Sequence, residues 1–309
     1  MIQLNRFALC PMRSACFGNK MTVLEILNRT TKYLKDRQVE SPRLNAELLL
    51  AHSLNFTREG LYTHLQDSFK EEEKKKFERL VERRISGEPL QYLLGHQEFW
   101  SIDLKVDPRV LIPRPETELL VEQSLLLLKE PCFQDGLSVL EIGTGSGAIS
   151  VALAKEREDL LIVATDVSRE ALLLARENAL LADVVSRIQF IQGDLFAPFR
   201  LSKKKEPFDL ILSNPPYVNR SDIRGLAREV KDFEPILALD GGEDGFAFYR
   251  KILPQAASYL RKGGWLLLEA GQGQGEKVSE MIMSEGHFQR PELVQDFSGI
   301  ERVVKAQRK

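Results

Sequence analysis

The sequence predicts an α/β protein: a mostly parallel sheet of seven strands with helices on both faces, preceded by a small all-helical domain. From residue 137 to the C-terminus, short apolar runs alternate with amphipathic segments, which is typical of a twisted, mostly parallel sheet covered by helices. Residues 21–86 show only the helical spacing of apolar residues. The length of 309 residues suits two domains of ordinary size.

Residues 1–20 differ from the rest of the chain in composition. They contain three basic residues, no acidic residue and two of the three cysteines. They lack the continuous apolar core and the cleavage site of a secretory signal. Because Met21 begins a well-formed amphipathic helix and is itself a candidate start, we expect residues 1–20 to be a dispensable extension.

Residues 21–87 form the predicted helical domain. Three segments carry apolar residues at helical spacing: MTVLEILNRTTKYLKD (21–36), SPRLNAELLLAHSL (41–54) and KEEEKKKFERLVERRIS (70–86). Ser41 is a candidate N-cap, and Pro42 follows at the first helical position. In residues 88–115, EFWSIDLKV and RVLIP predict a short β-hairpin that links the helical domain to a domain spanning residues 116–309.

Seven strands with intervening helices account for the second domain. The strands are predicted at LSVLEIG (137–143), LLIVATD (160–166), RIQFIQGD (187–194), FDLILSN (208–214), WLLLEAG (265–271), PELVQD (291–296) and ERVVKA (301–306). The helices are predicted at AISVALAKE (148–156), SREALLLARENALLA (168–182), residues 245–261 and GEKVSEMIMSE (275–285). Ligands of such sheets bind outside the carboxyl ends of the strands, so we expect Gly143, Asp166 and residues 214–217 to meet there.

The turn after the first strand of the sheet is rich in glycine. Gly143, Gly145 and Gly147 let the backbone turn tightly, and they let a ligand lie against bare N–H groups at the start of the following helix. Asp166 ends the next strand, where a carboxylate can accept hydrogen bonds from both hydroxyls of a ribose. The same glycine pattern also satisfies the dinucleotide fingerprint, so a nicotinamide or flavin enzyme remains an alternative at this point.

The segment GDLF, residues 193–196, follows the third strand. Asp194 is placed to meet an adenine amino group, and either Leu195 or Phe196 would cover the ring. A purine nucleotide portion of the ligand is therefore expected beside the ribose site.

The stretch NPPY, residues 214–217, follows the fourth strand and points to a different chemistry. Asn214 can present its side-chain carbonyl, and the backbone carbonyl of Pro215 can point into the same space. Two uncharged acceptors suit a substrate –NH₂ group, and Tyr217 offers a flat apolar face to a planar amide or aromatic ring. This arrangement favours methylation of an sp² nitrogen, and a hydride-transfer enzyme has no use for it.

Charge and composition argue against several classes of protein. The net charge is −2, and residues 116–309 hold 24 basic against 30 acidic residues, which disfavours a protein that binds mainly through phosphates. No apolar stretch approaches the ~18 residues of a membrane span. Three cysteines without a CxxC pair predict neither a disulfide framework nor a zinc site, so we expect no metal and a reducing, cytoplasmic location.

Five motifs together carry a resemblance to a known family. They are NPPY, IPRPETE (112–118), LEIGTGSGAIS (140–150), EPILALDGGEDGFAFY (234–249) and GGWLLLEAGQGQ (263–274). The chain resembles the class I S-adenosylmethionine-dependent methyltransferases, and more closely the HemK/PrmC family, the N5-glutamine methyltransferases of peptide chain release factors. NPPY alone is shared with DNA adenine and rRNA guanine methyltransferases, whereas residues 234–249 and the helical N-terminal domain are more specific.

The resemblance implies a Rossmann-like methyltransferase domain, S-adenosylmethionine as cofactor, and methyl transfer to the glutamine of a Gly-Gly-Gln motif. The implied cofactor site comprises Gly143, Thr144, Gly145, Ser146, Gly147, Asp166, Asp194, Leu195 and Asn214. The implied substrate site comprises Asn214, Pro215, Pro216 and Tyr217, with Asn214, Pro215 and Tyr217 acting in catalysis. Arg114, Glu116 and Thr117 match the family's PRPET segment at the pocket edge. Some relatives carry an aromatic residue at the position of Leu195.

The resemblance also implies partners. We expect release factors as protein substrates recognised by residues 21–87, a monomer, no direct need for nucleic acid, and no membrane. Two alternatives remain: a methyltransferase of DNA or rRNA amino groups, which should display a basic face, and a protein of the same fold that binds cofactor without turnover.

Overall fold

The computed structural model describes residues 21–129, 136–199 and 208–309. The predicted extension, residues 1–20, lies outside the described residues. The chain divides into two compact units, Met1–Ser86 and Gly87–Lys309.

The described part of the first unit is helical. Its helices are α1 (Val23–Asp36), α2 (Pro42–Leu54), α3 (Arg58–Thr63) and α4 (Glu71–Ile85). Helix α1 begins where the sequence changes to a capping box, because the Thr22 side chain accepts a hydrogen bond from the Glu25 amide and the Glu25 carboxylate accepts one from Thr22. Fully buried leucines of α1 and α2, such as Leu27 and Leu49, form the core of this unit.

The second unit contains a two-stranded hairpin and a seven-stranded sheet. Its strands are β1 (His96–Phe99), β2 (Ile102–Lys105), β3 (Ser138–Ile142), β4 (Leu161–Asp166), β5 (Ile188–Gln192), β6 (Phe208–Ser213), β7 (Leu260–Glu269), β8 (Glu292–Gln295) and β9 (Glu301–Gln307). Its helices are α5 (Leu90–Leu94), α6 (Glu118–Leu127), α7 (Ala148–Glu156), α8 (Arg169–Leu181), α9 (Arg228–Lys231), α10 (Ala247–Tyr259) and α11 (Gly275–Ser284).

The order of strands in the large sheet is β5-β4-β3-β6-β7-β9-β8, and β9 runs antiparallel to both of its neighbours. Alternate residues of the central strands point to opposite faces, because side chains alternate along a strand. Val139 and Leu210 belong to the core cluster on the face of α6 and α7, whereas Leu140 and Ile211 belong to the cluster on the face of α10 and α11. The predicted mostly parallel, seven-stranded α/β sheet is confirmed.

The β-hairpin is present, but both of its strands lie within residues 96–105, and the prediction that RVLIP forms part of it is wrong. Trp100 and Ser101 form the turn with φ of 53° and 56°, the geometry that usually selects Asn-Gly, so the turn was not evident in the sequence. The RVLIP segment is held by side chains instead. Tyr92 Oη donates to the Val110 carbonyl at 2.5 Å, and the Ile112 amide donates to Glu234 Oε2 at 3.1 Å.

Candidate active site

The register of the sheet places the predicted site residues in one row. Ile142 of β3 pairs with Thr165 of β4 and with Ser213 of β6, and Ser213 pairs in turn with Leu268 of β7. The residues that come next along these four strands are therefore neighbours at the carboxyl edge of the sheet: Asp166, Gly143, Asn214 and Glu269. The expectation that three distant motifs meet at this edge is confirmed by the strand pairing.

A cavity of about 330 Å³ opens at this edge. The predicted site residues that line it are Gly143, Thr144, Gly145, Ser146, Asp166, Asp194, Leu195, Asn214, Pro215 and Pro216, together with Arg114 and Thr117. Gly147, Glu116, Phe196 and Tyr217 are not among the lining residues.

The glycines of the turn after β3 have two different functions. Gly143 and Gly145 have φ of 75° and 55°, and a Cβ on either would meet nothing within 4 Å, so their bare backbone faces open space in the cavity. Gly147 has φ of 81°, but a Cβ there would lie 3.0 Å from Ala175 Cβ on α8. Gly147 thus lets α7 start close to α8, whereas Gly143 and Gly145 leave room for a ligand.

Asp166 supports the glycine turn from the neighbouring strand. Its Oδ2 accepts a hydrogen bond from the Gly145 amide at 2.9 Å, and its Oδ1 accepts one from the Ser168 amide at 2.8 Å. Burial raises the pKa of Asp166 from its usual value, and the hydrogen bonds from these amides oppose that shift. A carboxylate oxygen has more than one acceptor site, so Asp166 can hold the turn and still accept from a ligand hydroxyl.

The two candidates for covering an adenine ring are separated by the structure. Leu195 lines the cavity with φ of 51°, beside Asp194. Phe196 is 1% exposed and stacks on Tyr259 with ring centroids 4.7 Å apart. Leu195 therefore faces the cavity, and Phe196 belongs to the core.

Asn214 follows β6 directly, and its side chain is held by a residue far away in sequence. Its Nδ2 donates to Thr117 Oγ1 at 3.1 Å. Because the amide nitrogen is engaged in this way, Oδ1 is the end of the side chain that points away from Thr117. An uncharged acceptor is thereby available in the wall of the cavity, next to Pro215.

Tyr217 is enclosed by glycines and by a glutamine. A Cβ on Gly245 would lie 2.6 Å from the Tyr217 carbonyl oxygen, and one on Gly271 would lie 2.9 Å from Tyr217 Cδ2. Gln274 Nε2 donates to the Tyr217 carbonyl at 3.0 Å. Burial, followed by the charge of Glu269, raises the pKa of the Tyr217 hydroxyl above its usual value. Gly241, Gly245 and Gly271 thus serve the close packing of the NPPY turn.

Two buried carboxyl groups at this edge were not identified as site residues from the sequence. Glu141 lines the cavity, is 1% exposed, and accepts hydrogen bonds from the hydroxyls of Thr144 (2.7 Å) and Ser150. Glu269 is equally buried, at the end of β7. Burial raises the pKa of each to about 7. The signal was available, because each is the single acidic residue of an apolar strand and lies within two residues of a glycine.

The segments IPRPETE and EPILALDGGEDGFAFY are joined by an ion pair that shapes the mouth of the cavity. Arg114 Nη2 lies 2.5 Å from Glu234 Oε1, and Glu234 is 4% exposed. Further lining residues come from the segment that begins at Glu234 and from its continuation into α10: Pro235, Leu237, Ala238, Phe248, Lys251 and Ile252. Among the described residues, no helix has the length and apolar character needed to cross a bilayer.

Comparison with known proteins gives consistent results. A family model described as PrmC N-terminal domain matches residues 25–95, and one described as Methyltransferase domain matches residues 133–303. The chain is 40% identical over 289 residues to the release factor glutamine methyltransferase of Moorella thermoacetica, covering 94% of this chain and 99% of that protein. It is 43% identical over 283 residues to the protein of the same name in Geobacter sulfurreducens, covering 92% and 95%.

A solved structure adds support for the fold alone. The hMettl16 catalytic domain, in complex with the MAT2A 3'UTR hairpin 6, superimposes with a TM-score of 0.53 at 16% identity, covering 77% of this chain and 82% of that one.

Proposed function

This chain belongs to the release factor glutamine methyltransferase family, and from that premise we propose that it methylates peptide chain release factors on a glutamine side chain. The methyl group goes from S-adenosylmethionine to the amide nitrogen, N5, of the glutamine in a Gly-Gly-Gln motif. A cytoplasmic site of action is part of the same proposal, because the substrate is a factor of translation.

The cavity has features that suit this cofactor. Gly143 and Gly145 present bare backbone to open space, which suits a ligand that lies against the turn. Asp166, Asp194 and Leu195 line the cavity. Asp166 would accept hydrogen bonds from ribose hydroxyls, and Asp194 with Leu195 would border the adenine. When bound, S-adenosylmethionine supplies a methyl group that is electrophilic because the sulfur to which it is attached carries a positive charge.

The NPPY turn would hold the substrate amide. Asn214 Oδ1 and the Pro215 carbonyl would accept the two N–H bonds of the glutamine –NH₂, which turns the face of the nitrogen towards the methyl group. Pro216 and Tyr217 would pack against the planar amide. Positioning of this kind is a major contribution to rate when two reactants must meet in one geometry. No strong general base is required in NPPY, because the extra proton can leave to water after transfer.

The single observation that carries the proposal is the hydrogen bond from Asn214 Nδ2 to Thr117 Oγ1. It engages the donor end of the amide, so the end left for a substrate is an acceptor, as a substrate –NH₂ requires. A carboxylate substrate has no hydrogen to donate and would gain nothing from such an acceptor pair, and an alcohol could donate to only one of the two acceptors.

Intact-mass measurement of a release factor tests the proposal directly. After incubation with enzyme and cofactor, a factor with the Gly-Gly-Gln loop should gain the mass of one methyl group, located by peptide mapping at the glutamine. The matched control carries glutamate at that position and should gain nothing, because no –NH₂ remains. Methylation of the glutamate-bearing factor at that residue would contradict the proposal, as would transfer to DNA or rRNA with none to the factor.

A further inference from the structure

Glu269 is a buried carboxyl group for which the proposed reaction has no use. It ends β7 in the row beside Asn214, is 1% exposed, and does not line the cavity. Its Oε1 lies 3.5 Å from Tyr217 Oη, and its Oε2 has no hydrogen-bond partner among the described residues. A buried polar atom without a partner destabilises the folded state, so packing alone gives no reason for a carboxyl group at this position.

Thr117 connects this carboxyl group to the proposed substrate site. It occupies the N-cap position of α6, where a threonine side chain normally accepts from the helix amides, yet it makes no capping hydrogen bond. Its hydroxyl instead accepts from Asn214 Nδ2 at 3.1 Å. The same side chain lies beside the Glu269 carboxyl group and lowers the pKa of that group, as a hydroxyl that donates towards a carboxylate does. A hydroxyl has a single proton, so Thr117 can donate in only one of these two directions.

We propose that Glu269 and Thr117 are positioning residues that fix the orientation of the Asn214 amide, an inference that rests on the proposed function. An ionised carboxylate can only accept, so Thr117 must donate to Glu269 and accept from Asn214 Nδ2. Asn214 Oδ1 then faces the substrate –NH₂. With Glu269 protonated, its O–H can donate to Thr117, and the Thr117 proton becomes available to Asn214 Oδ1. The Asn214 amide can then flip and present its own –NH₂, a donor, to a substrate group that accepts a hydrogen bond.

The surroundings of Glu269 set the pH at which this orientation changes. The groups that face it are Thr117 and Glu116 before α6, Tyr217 of NPPY, Arg302 of β9, and Tyr249 of α10, whose hydroxyl donates to the Glu269 backbone carbonyl at 2.8 Å. Burial raises the pKa of Glu269 to about 7; Thr117, Arg302 and Tyr217 oppose the shift, and Glu116 adds to it. The Arg302 guanidinium is itself paired with Asp296 at 2.9 Å. Glu269 therefore changes charge close to neutral pH, and the oriented state of Asn214 is the one above that pH.

The first test is the pH dependence of single-turnover methyl transfer to a Gly-Gly-Gln release factor, at saturating cofactor. The wild-type rate should fall on the acidic side with a midpoint near 7. Thr117→Val, which keeps the shape and removes the hydroxyl, should lower the rate by about tenfold or more, with the cofactor Kd within about twofold. Thr117→Ser restores the hydroxyl and should restore the rate. Glu269→Gln should remove the fall of the rate at acidic pH, the acidic limb of the pH profile, because the glutamine amide does not titrate.

Two controls separate this role from ordinary packing. Thr30 is fully buried and its hydroxyl has no partner among the described residues, so Thr30→Val makes the same exchange away from the site and should leave rate and pH profile unchanged. Glu141→Gln removes the other carboxyl group whose pKa lies near 7 and should keep the acidic limb.

A binding measurement gives a readout that does not depend on turnover. A flipped Asn214 donates, so it should favour a factor with glutamate in place of the acceptor glutamine. The ratio of the Kd for the glutamate factor to that for the glutamine factor should fall severalfold in the wild type between pH 8 and pH 6, and should stay constant in Glu269→Gln. A constant ratio in the wild type would overturn the inference.

Failure of the inference and failure of the proposed function give different results. If the wild type methylates no Gly-Gly-Gln factor, the proposed function fails. If the wild type methylates the factor, and Thr117→Val does so at the same rate with the same pH profile, only the orienting role fails. Persistence of the acidic limb in Glu269→Gln would also overturn it.

Discussion

At the scale of single residues, the position of Asn214 predicts that its substitution changes the rate of methyl transfer more than the binding of the cofactor. Asn214→Ala removes one of two acceptors and lets the substrate amide rotate, so we expect kcat to fall by about 10²–10³-fold, as for loss of one positioned hydrogen bond at a reacting centre. Asn214→Asp adds a negative charge beside the positively charged cofactor and favours the ground state over the charge-dispersed transition state. It should bind cofactor at least as tightly and methylate more slowly. Calorimetry and single-turnover assays measure the two effects, and weaker cofactor binding in Asn214→Asp would contradict this.

The different surroundings of the three glycines and Asp166 predict two kinds of defect. Asp166→Ala should weaken cofactor binding by about 1–3 kcal/mol, because a buried ribose diol loses its acceptor. Gly145→Val should abolish binding, because its side chain would fill the open space beside the turn. Gly147→Ala should mainly lower the melting temperature, because its Cβ would press on Ala175. Calorimetry and thermal denaturation distinguish the two kinds, and unchanged binding in both Asp166→Ala and Gly145→Val would show that the cofactor lies elsewhere.

The raised pKa of Glu269 predicts a pH-dependent effect on stability. Its pKa rises from 4.5 to about 7 on folding, so the folded state binds the proton more tightly than the unfolded state. The stability contributed by this group is full below about pH 4.5 and is lost as the pH rises to about 7, a change of about 3 kcal/mol. The free energy of unfolding of Glu269→Gln relative to wild type should therefore rise from pH 5 to pH 8 in urea titrations of the ligand-free protein. A difference that is independent of pH would show that Glu269 is ionised at a normal pKa.

At the scale of elements, the hairpin of β1 and β2 shows how local chemistry and tertiary contacts compete. Both turn residues have positive φ, which costs a residue with a side chain roughly 1–2 kcal/mol. Trp100 is retained there by contacts, because its amide donates to Glu118 Oε1 at 2.7 Å and its Nε1 donates to Glu156 Oε1 at 2.8 Å. Ser101 is exposed, and its side chain makes no such hydrogen bond to any of the described residues.

Substitution at the two turn positions should therefore have opposite effects. Ser101→Gly should raise the stability by up to about 1 kcal/mol, because glycine adopts positive φ without strain. Trp100→Gly should lower it, because the indole contact with Glu156 is lost. Thermal denaturation of both variants is the measurement, and a lower melting temperature for Ser101→Gly would contradict the account of this turn.

At the scale of the whole molecule, we propose that the helical unit selects the protein substrate and that the larger unit performs the chemistry. Every residue that lines the cavity belongs to the larger unit. Deletion of residues 1–20 should change little. Deletion through Ser86 should leave cofactor binding intact and abolish methylation of the folded release factor. Calorimetry and intact-mass assays provide the two readouts, and wild-type methylation of the factor by the shorter protein would refute this division of labour.

The sequence by itself was sufficient for most of the fold and for the two principal motifs. The strand β3 and the helix α7 were predicted within a residue of their bounds, because apolar periodicity and flanking glycines are local properties of the chain. Helix α6 was missed, since its apolar residues are too dense to show an amphipathic period. The glycine turn and NPPY were recognisable because short motifs with fixed spacing constrain the backbone that carries them.

Only the tertiary structure decided which distant residues contact the residues of these motifs. Thr117 and Asn214 are 97 residues apart, and Tyr217 and Glu269 are 52 apart, yet each pair is in contact. The order β3-β6-β7 brings Asn214 between Gly143 and Glu269, and no local pattern encodes that order. No local pattern shows which of Leu195 and Phe196 faces the cavity either, because these adjacent residues lie in different environments only once α10 has packed on the sheet. Strand order and side-chain burial arise from pairings between distant segments of the chain. The hydrogen bonds that orient the side chains of this site, and the burial that raises the pKa values of its carboxyl groups, therefore appear only after the chain has folded.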